Sequence, residues 1–158
     1  MTSDFDILCR TDEWFQKAVP SPTAKNFQVQ VGVHCEEVAE MLETFDTDEP
    51  TAKLLLSLAY EAIKQLGEHL KSSPPSLRVS NHIDCLDALC DQLVTATGIG
   101  HMADYDVPLA LAEVNESNFS KFVNDEPIFD ANGKVMKGPN YFKPDLRAYL
   151  PADESVGG

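Results

Sequence analysis

The chain has 158 residues, 43% of them hydrophobic, and a formal net charge of -14 at pH 7. Length and apolar content suit one domain with a substantial core. The charge argues against binding nucleic acid by counterion release and against an anionic membrane surface. The opening MTSDFDILCR has no basic start followed by an apolar run, so no signal peptide is expected, and the apolar stretches are far shorter than a membrane span. Cys9, Cys35, Cys85 and Cys90 form no CxxC pair and read as small buried thiols of a cytoplasmic chain.

A first helix is predicted over residues 3–18, with Phe5, Leu8, Phe15 and Val19 as apolar contacts, and the two prolines of VPSP stop it. A second runs from about Thr23 to Phe45. In it Phe27, Val31, Val38, Met41, Leu42 and Phe45 recur near a period of 3.6 residues and read as a core stripe. A third follows Glu49-Pro50, carries Leu54, Leu55, Leu58, Ala59, Ala62, Ile63 and Leu66, and ends in the SSPPS loop at residues 72–76. A fourth is expected over residues 80–102, with Ile83, Leu86, Leu89, Cys90, Leu93, Val94 and Ala96 as its apolar face. A fifth starts at Asp106-Val107-Pro108, proline being at home in a first turn, and continues towards Phe119. Beyond Pro127, IFDANGKVMK reads as a small hairpin about Asn132-Gly133. GPNYFKPDL reads as an extended tail with one helical turn after Pro144, and PADESVGG, residues 151–158, is expected to be disordered. The fold class is therefore all-α: residues 1–150 form a single helical bundle with a short C-terminal hairpin and an extended tail. The breadth of apolar surface on several helices suggests a partner subunit.

The chemistry-bearing residues are acids. Glu36, Glu37 and Glu40 stand together in HCEEVAEMLE, and Asp84, Asp87 and Asp91 in HIDCLDALCDQL. Acids three and four residues apart share one helix face, and at about 100° per residue the three aspartates fall within an arc of about 60°. Like charges so placed repel. A hard divalent cation held between facing helices would compensate, with Mg²⁺ the first choice and Mn²⁺ able to substitute. A solvated face of an acidic protein is the plain alternative. A di-iron site would need Glu-x-x-His, which neither cluster has. His34 and His82 pair with no cysteine at zinc spacing, and phosphate-loop and nucleophile-elbow motifs are missing, so covalent nucleophilic catalysis has no support. The stretch 121–147 is the one that is not acidic: Lys121, Lys134, Lys137, Lys143 and Arg147 offset Asp125, Glu126, Asp130 and Asp145.

Three segments in order, EEVAE, DCLDALCDQLV, and EVNESNFSKF followed by DANGKVMKGPNYFKPDL, resemble a MazG-like member of the all-α nucleoside triphosphate pyrophosphohydrolases. Phosphoribosyl-ATP pyrophosphohydrolases and dimeric dUTPases belong to the same superfamily. The resemblance covers about residues 27–146, and S-N-x-S-K with G-K-x-x-K-G-P-N-Y is its most specific part. It implies Mg²⁺-dependent hydrolysis of a (deoxy)nucleoside triphosphate to the monophosphate and pyrophosphate, in a homodimer or homotetramer, as nucleotide housekeeping. Carried onto this sequence, Glu37 and Glu40 match metal ligands, and Glu36, with Glu37, matches the acids that orient or activate water. Asp87 and Asp91 match the second acidic helix, with Asp84 one turn earlier. Asn115, Asn118 and Lys121 match the segment expected near phosphate or base, and Lys134, Lys137 and Tyr141 match a tail that closes over the ligand.

One departure stands out. The second motif is usually E-x-x-D, but Ala88 lies three residues before Asp91 and Asp84 three before Asp87, so either Asp84 with Asp87 or Asp87 with Asp91 forms the pair. The tail lysines also have a plain reading as solubilising charges, Tyr141 and Phe142 as pins for the tail, and Trp14 as core or subunit contact. Competing with hydrolysis of a general triphosphate are hydrolysis of phosphoribosyl-ATP, a non-catalytic nucleotide-binding regulator, and an acidic interaction protein without metal.

Overall fold

The computed structural model describes residues 4–131 and 134–152, with Asp4 and Phe5 described by backbone alone. The Asn132-Gly133 turn and most of PADESVGG lie outside the described residues. The protein is all-α, as the periodicity predicts. Its helices are α1 Asp4–Ala18, α2 Ala24–Glu43, α3 Pro50–Ser72, α4 His82–Met102 and α5 Val107–Phe119, with a 3-10 turn at Leu146–Tyr149. Among the described residues no helix is long and apolar enough to cross a membrane. Ser21–Ser80 makes one compact unit, and the described residues on either side of it make the other.

The helices α2 to α5 each start where a side chain can take up orphan amides. Thr23 and Asn26 form a capping box at α2, the Thr23 hydroxyl accepting from the Asn26 amide at 3.2 Å and the Asn26 side chain accepting from the Thr23 amide at 3.0 Å. At α3 the Glu49 carboxylate accepts from the amides of Thr51 at 2.9 Å and Ala52 at 2.6 Å, and these bonds hold its pKa below the ordinary value. Asn81 caps α4 through Ile83 at 3.1 Å, and Asp106 caps α5 through Leu109 at 3.1 Å.

In the Ser21–Ser80 unit, α2 and α3 pack as an antiparallel pair with backbones in close approach at two glycines. A Cβ on Gly32 would lie 2.8 Å from the Gly67 carbonyl oxygen, and one on Gly67 2.8 Å from that of Gly32. The buried residues of α2 are Gln28, Gly32 and Ala39. Phe27 and Phe45 of the expected stripe are instead 39% and 44% exposed. The stripe lies roughly 110° round the helix from the glycine face. The small residues decide the contact because only they let two backbones come this close, and the large ones are left beside it. Gln28 is fully buried and ties off the end of α3. Its amide nitrogen donates to the carbonyls of Leu70 at 2.9 Å and Pro74 at 3.1 Å, and its oxygen accepts from the amides of Ser76 at 2.7 Å and Leu77 at 3.0 Å. One amide thus satisfies both the helix end and the SSPPS loop.

In the other unit α1 packs on α5. Asn115, 2% exposed, donates to the Ile7 carbonyl at 3.0 Å and accepts from the Thr11 hydroxyl at 2.9 Å. The Trp14 indole donates to the Asn118 carbonyl at 3.1 Å, and the Arg10 guanidinium lies 3.5 Å from the centre of the Phe119 ring. Between α4 and α5 the chain turns through Asp104, whose φ is 61°, and Gly100 makes room for Val107. The expected hairpin is present as one antiparallel bridge, Phe129 to Val135, supported by the Asp130 amide to the Lys134 carbonyl at 2.9 Å and the Met136 amide to the Ile128 carbonyl at 2.7 Å. The 3-10 turn after Pro144 reaches back to α5 through the Asp106 amide, which donates to the Tyr149 carbonyl at 3.0 Å.

Gly32→Ala is expected to cost about 1–3 kcal/mol, because its methyl meets backbone rather than a movable side chain. Gly98→Ala, with nothing within 4 Å of the added carbon, is expected to stabilise α4 by about 0.5–1 kcal/mol. Urea unfolding followed by circular dichroism measures both.

Candidate functional site

The unit of α1, α4 and α5 holds all the predicted lysines, and Lys121 is the best-defined of them. Lys121 follows α5, half-buried, and its ammonium donates to the Asn118 side-chain oxygen at 2.7 Å and sits 5.8 Å from the centre of the Trp14 indole. Trp14 is stacked on Phe122 at 5.9 Å and meets Phe15 edge-on at 5.1 Å, so the platform under Lys121 is fixed from α1. The partner of this ammonium is a neutral amide, which shares no charge with it. Burial, followed by the charges of Lys137 and Lys134, pushes the Lys121 pKa below the ordinary lysine value.

The tail is brought to Lys121 by three small residues. The Gly138 amide donates to the Lys121 carbonyl at 3.0 Å, and a Cβ on Gly138 would stand 2.7 Å from that oxygen. Ser117 donates to the Phe142 carbonyl at 2.8 Å, and Ser120 accepts from the Phe142 amide at 3.1 Å. The ammonium of Lys137 lies 4.5 Å from the centre of the Tyr141 ring. Within S-N-x-S-K, therefore, the two serines hold the tail and the asparagine holds the lysine. Ser117, Ser120 and Gly138 were not nominated by the sequence reading. The glycine beside a lysine-rich turn was the available signal, since close backbone approach is a reason for glycine. Lys17, nearby on the last turn of α1, is paired with Asp125.

Asn115 serves elsewhere: both ends of its amide are engaged in the α1–α5 contact. It also lines a cleft of 340 Å³ with Ile7, Arg10, Ala112 and Glu116. The acids occupy their expected helices. On α2, Glu36 is ion-paired with Lys71 of α3, while Glu37 and Glu40 are exposed. On α4, Asp84 accepts from the Asn81 side chain at 2.5 Å, and Asp87 and Asp91 are exposed on the same side of the helix. Among the described residues no group of three or more histidine, cysteine, aspartate or glutamate side chains is placed to hold a metal ion. The carboxylate oxygens are nonetheless the hard donors that Mg²⁺ takes, in ones and twos alongside water and phosphate.

Known families, curated proteins and solved structures offer no match to this chain. The MazG-like resemblance thus stands on the quoted motifs. The geometry adds a physical statement of its own: the Lys121 ammonium is half-buried, bonds to a neutral amide and feels the charges of Lys137 and Lys134, a repulsion that a multivalent anion would relieve.

Two outcomes test this. Lys121→Gln is expected to weaken the stabilisation by pyrophosphate or tripolyphosphate by about tenfold, roughly 1.4 kcal/mol, with the unliganded melting temperature kept or raised. Gly138→Ala, which removes no charge, should weaken it too by displacing the tail. Both are read from thermal shifts against ligand concentration. As pH rises past the lowered Lys121 pKa the cluster loses charge, so anion affinity falls earlier than an ordinary lysine would dictate. The same deprotonation adds stability to the unliganded fold, because the folded state holds that proton less tightly than the unfolded chain.

Proposed function

We propose that the protein hydrolyses a (deoxy)nucleoside triphosphate to the monophosphate and pyrophosphate with the help of Mg²⁺, and that it does so as a homodimer or homotetramer. The observation that carries the proposal is Lys121 itself, half-buried, bonded to a neutral asparagine and repelled by Lys137 and Lys134 in a chain of net charge -14. A triphosphate offers the density of negative charge such a site attracts. Acids and lysines in one small protein suit a polyanion bound together with a cation better than either alone.

The reading gives Lys121, Lys134 and Lys137 the phosphate chain, with Asn118 aiming the Lys121 ammonium and Tyr141 beside Lys137 available to stack on a base. By the motif resemblance, Glu37 and Glu40 of the first acidic segment and Asp84, Asp87 and Asp91 of the second would supply its metal donors. When bound, Mg²⁺ would neutralise phosphate charge and orient the scissile anhydride. Glu36, ion-paired with Lys71, takes from the resemblance the role of orienting water with Glu37. A non-catalytic polyphosphate binder is favoured by one observation: the surroundings of Lys121 are set by α1, α5 and the tail, segments that carry none of those carboxylates in their sequence.

Incubation with a panel of nucleoside triphosphates, with and without Mg²⁺, decides between them. Monophosphate plus pyrophosphate, formed only with the metal, is the expected product pair. Glu40→Gln and Asp87→Asn should each abolish turnover with the helical content unchanged. Nucleotide binding by calorimetry without any product over hours would leave the binder and end the hydrolase.

A further inference from the structure

A lysine becomes a nucleophile when its amine is partly desolvated or stands beside another cation. Other lysines of this chain face carboxylates, backbone carbonyls or a hydroxyl. Lys17 is paired with Asp125, Lys53 lies 3.6 Å from Asp46, and Lys71 is paired with Glu36. Lys25 donates to the carbonyls of Lys71 at 2.8 Å and Ser73 at 2.7 Å. Lys64 donates to the Tyr60 hydroxyl at 2.8 Å, and that bond holds its pKa above the ordinary value. Lys121 differs. It is half-buried, and its partner is the neutral Asn118 oxygen at 2.7 Å. The Gly138 amide, bonded to its carbonyl at 3.0 Å, brings the adjoining Lys137 to where its charge acts on Lys121. We propose that Lys121 is a site of covalent acylation by acyl phosphates, which switches its anion contact off. This rests on the reading of Lys121 as a phosphate contact and needs no nucleotide hydrolysis.

The contacts that define this amine come from α1, α5 and the tail, all within one unit. Charge selects the reagent. A neutral acyl donor gains nothing from the tail lysines, whereas the phosphate of an acyl phosphate is drawn by them. Its acyl carbon is one oxygen away from phosphorus, so a phosphate held at Lys121 carries that carbon to the same nitrogen. Burial, then the charges of Lys137 and Lys134, lower the Lys121 pKa, so the reactive amine is present at lower pH than in an ordinary lysine. In the step, the unprotonated nitrogen attacks the acyl carbon. A C–N bond forms, the C–O bond to phosphate breaks, inorganic phosphate leaves with the electron pair, and the proton from nitrogen passes to water. The product amide keeps one N–H to donate to Asn118 but carries no charge, so the phosphate contact is lost.

Incubation of the whole chain with acetyl phosphate, with acetylated lysines mapped and timed by mass spectrometry, tests the proposal without any variant. Lys121 is expected to react about tenfold faster than Lys64, and to reach its plateau rate at lower pH. Tripolyphosphate should slow the reaction of Lys121 and leave Lys64 unaffected. Acetylation should lower the affinity for tripolyphosphate about tenfold, read from thermal shifts. Lys121→Arg, which keeps a charge but escapes acylation, should hold its own affinity through the same treatment. Equal rates at Lys121 and Lys64, no protection by tripolyphosphate, or an arginine variant that loses affinity as the wild type does would each overturn the proposal. So would a neutral succinimidyl ester that labels Lys121 as selectively as acetyl phosphate does, since phosphate would then play no part. Stabilisation by tripolyphosphate without labelling of Lys121 ends this proposal and leaves the phosphate contact standing. No stabilisation ends both.

Discussion

The site depends on the seat of Trp14. Its indole donates to the carbonyl of Asn118 at the end of α5, stacks on Phe122 just beyond, and lies under the ammonium of Lys121. One side chain of α1 therefore fixes where α5 ends, which way the following turn leaves, and where the first lysine of the cluster points. Asn115, one turn earlier on α5, locks the same two helices through Ile7 and Thr11. An indole and a buried amide serve here because both must be satisfied once out of water, and each has a single geometry that does so.

Repulsion is the second constraint. A chain this acidic has many carboxylates to which a lysine could turn, yet Lys121 bonds to a neutral asparagine and feels Lys137 and Lys134. Such an arrangement costs stability that a bound anion would restore, and strain of this kind is commonest at binding sites. Ser117, Ser120 and Gly138 do the holding. None carries charge: the two serine hydroxyls bond to the backbone of Phe142 and the Gly138 amide to the Lys121 carbonyl, so no lysine ammonium is used in these bonds.

Much of this was legible in order. Thr23, Glu49 and Asp106 stand at helix starts read from the sequence, by chemistry that acts over three residues, and the structure uses each of them, and Asn81 besides, as a cap. The stripe of α2 was less legible. Phe27 and Phe45 have the right period for a core, but which face of a helix is buried depends on how near its neighbour can come, and Gly32 with Gly67 draws the contact to a different face. Asn115 was nominated for a ligand and serves the α1–α5 contact, because a buried amide and a binding amide look the same in a sequence.

By itself the sequence determined the all-α class, the helix ends, and which acids share a face of α2 and of α4. These follow from local hydrogen bonding and from the 3.6-residue period. Only the tertiary structure decided which side chains meet: that two glycines join α2 to α3, that Trp14 carries Lys121, and that Gly138 lays the tail against it. Those contacts join residues far apart in the chain. Their energies come from packing and desolvation, to which no local pattern corresponds.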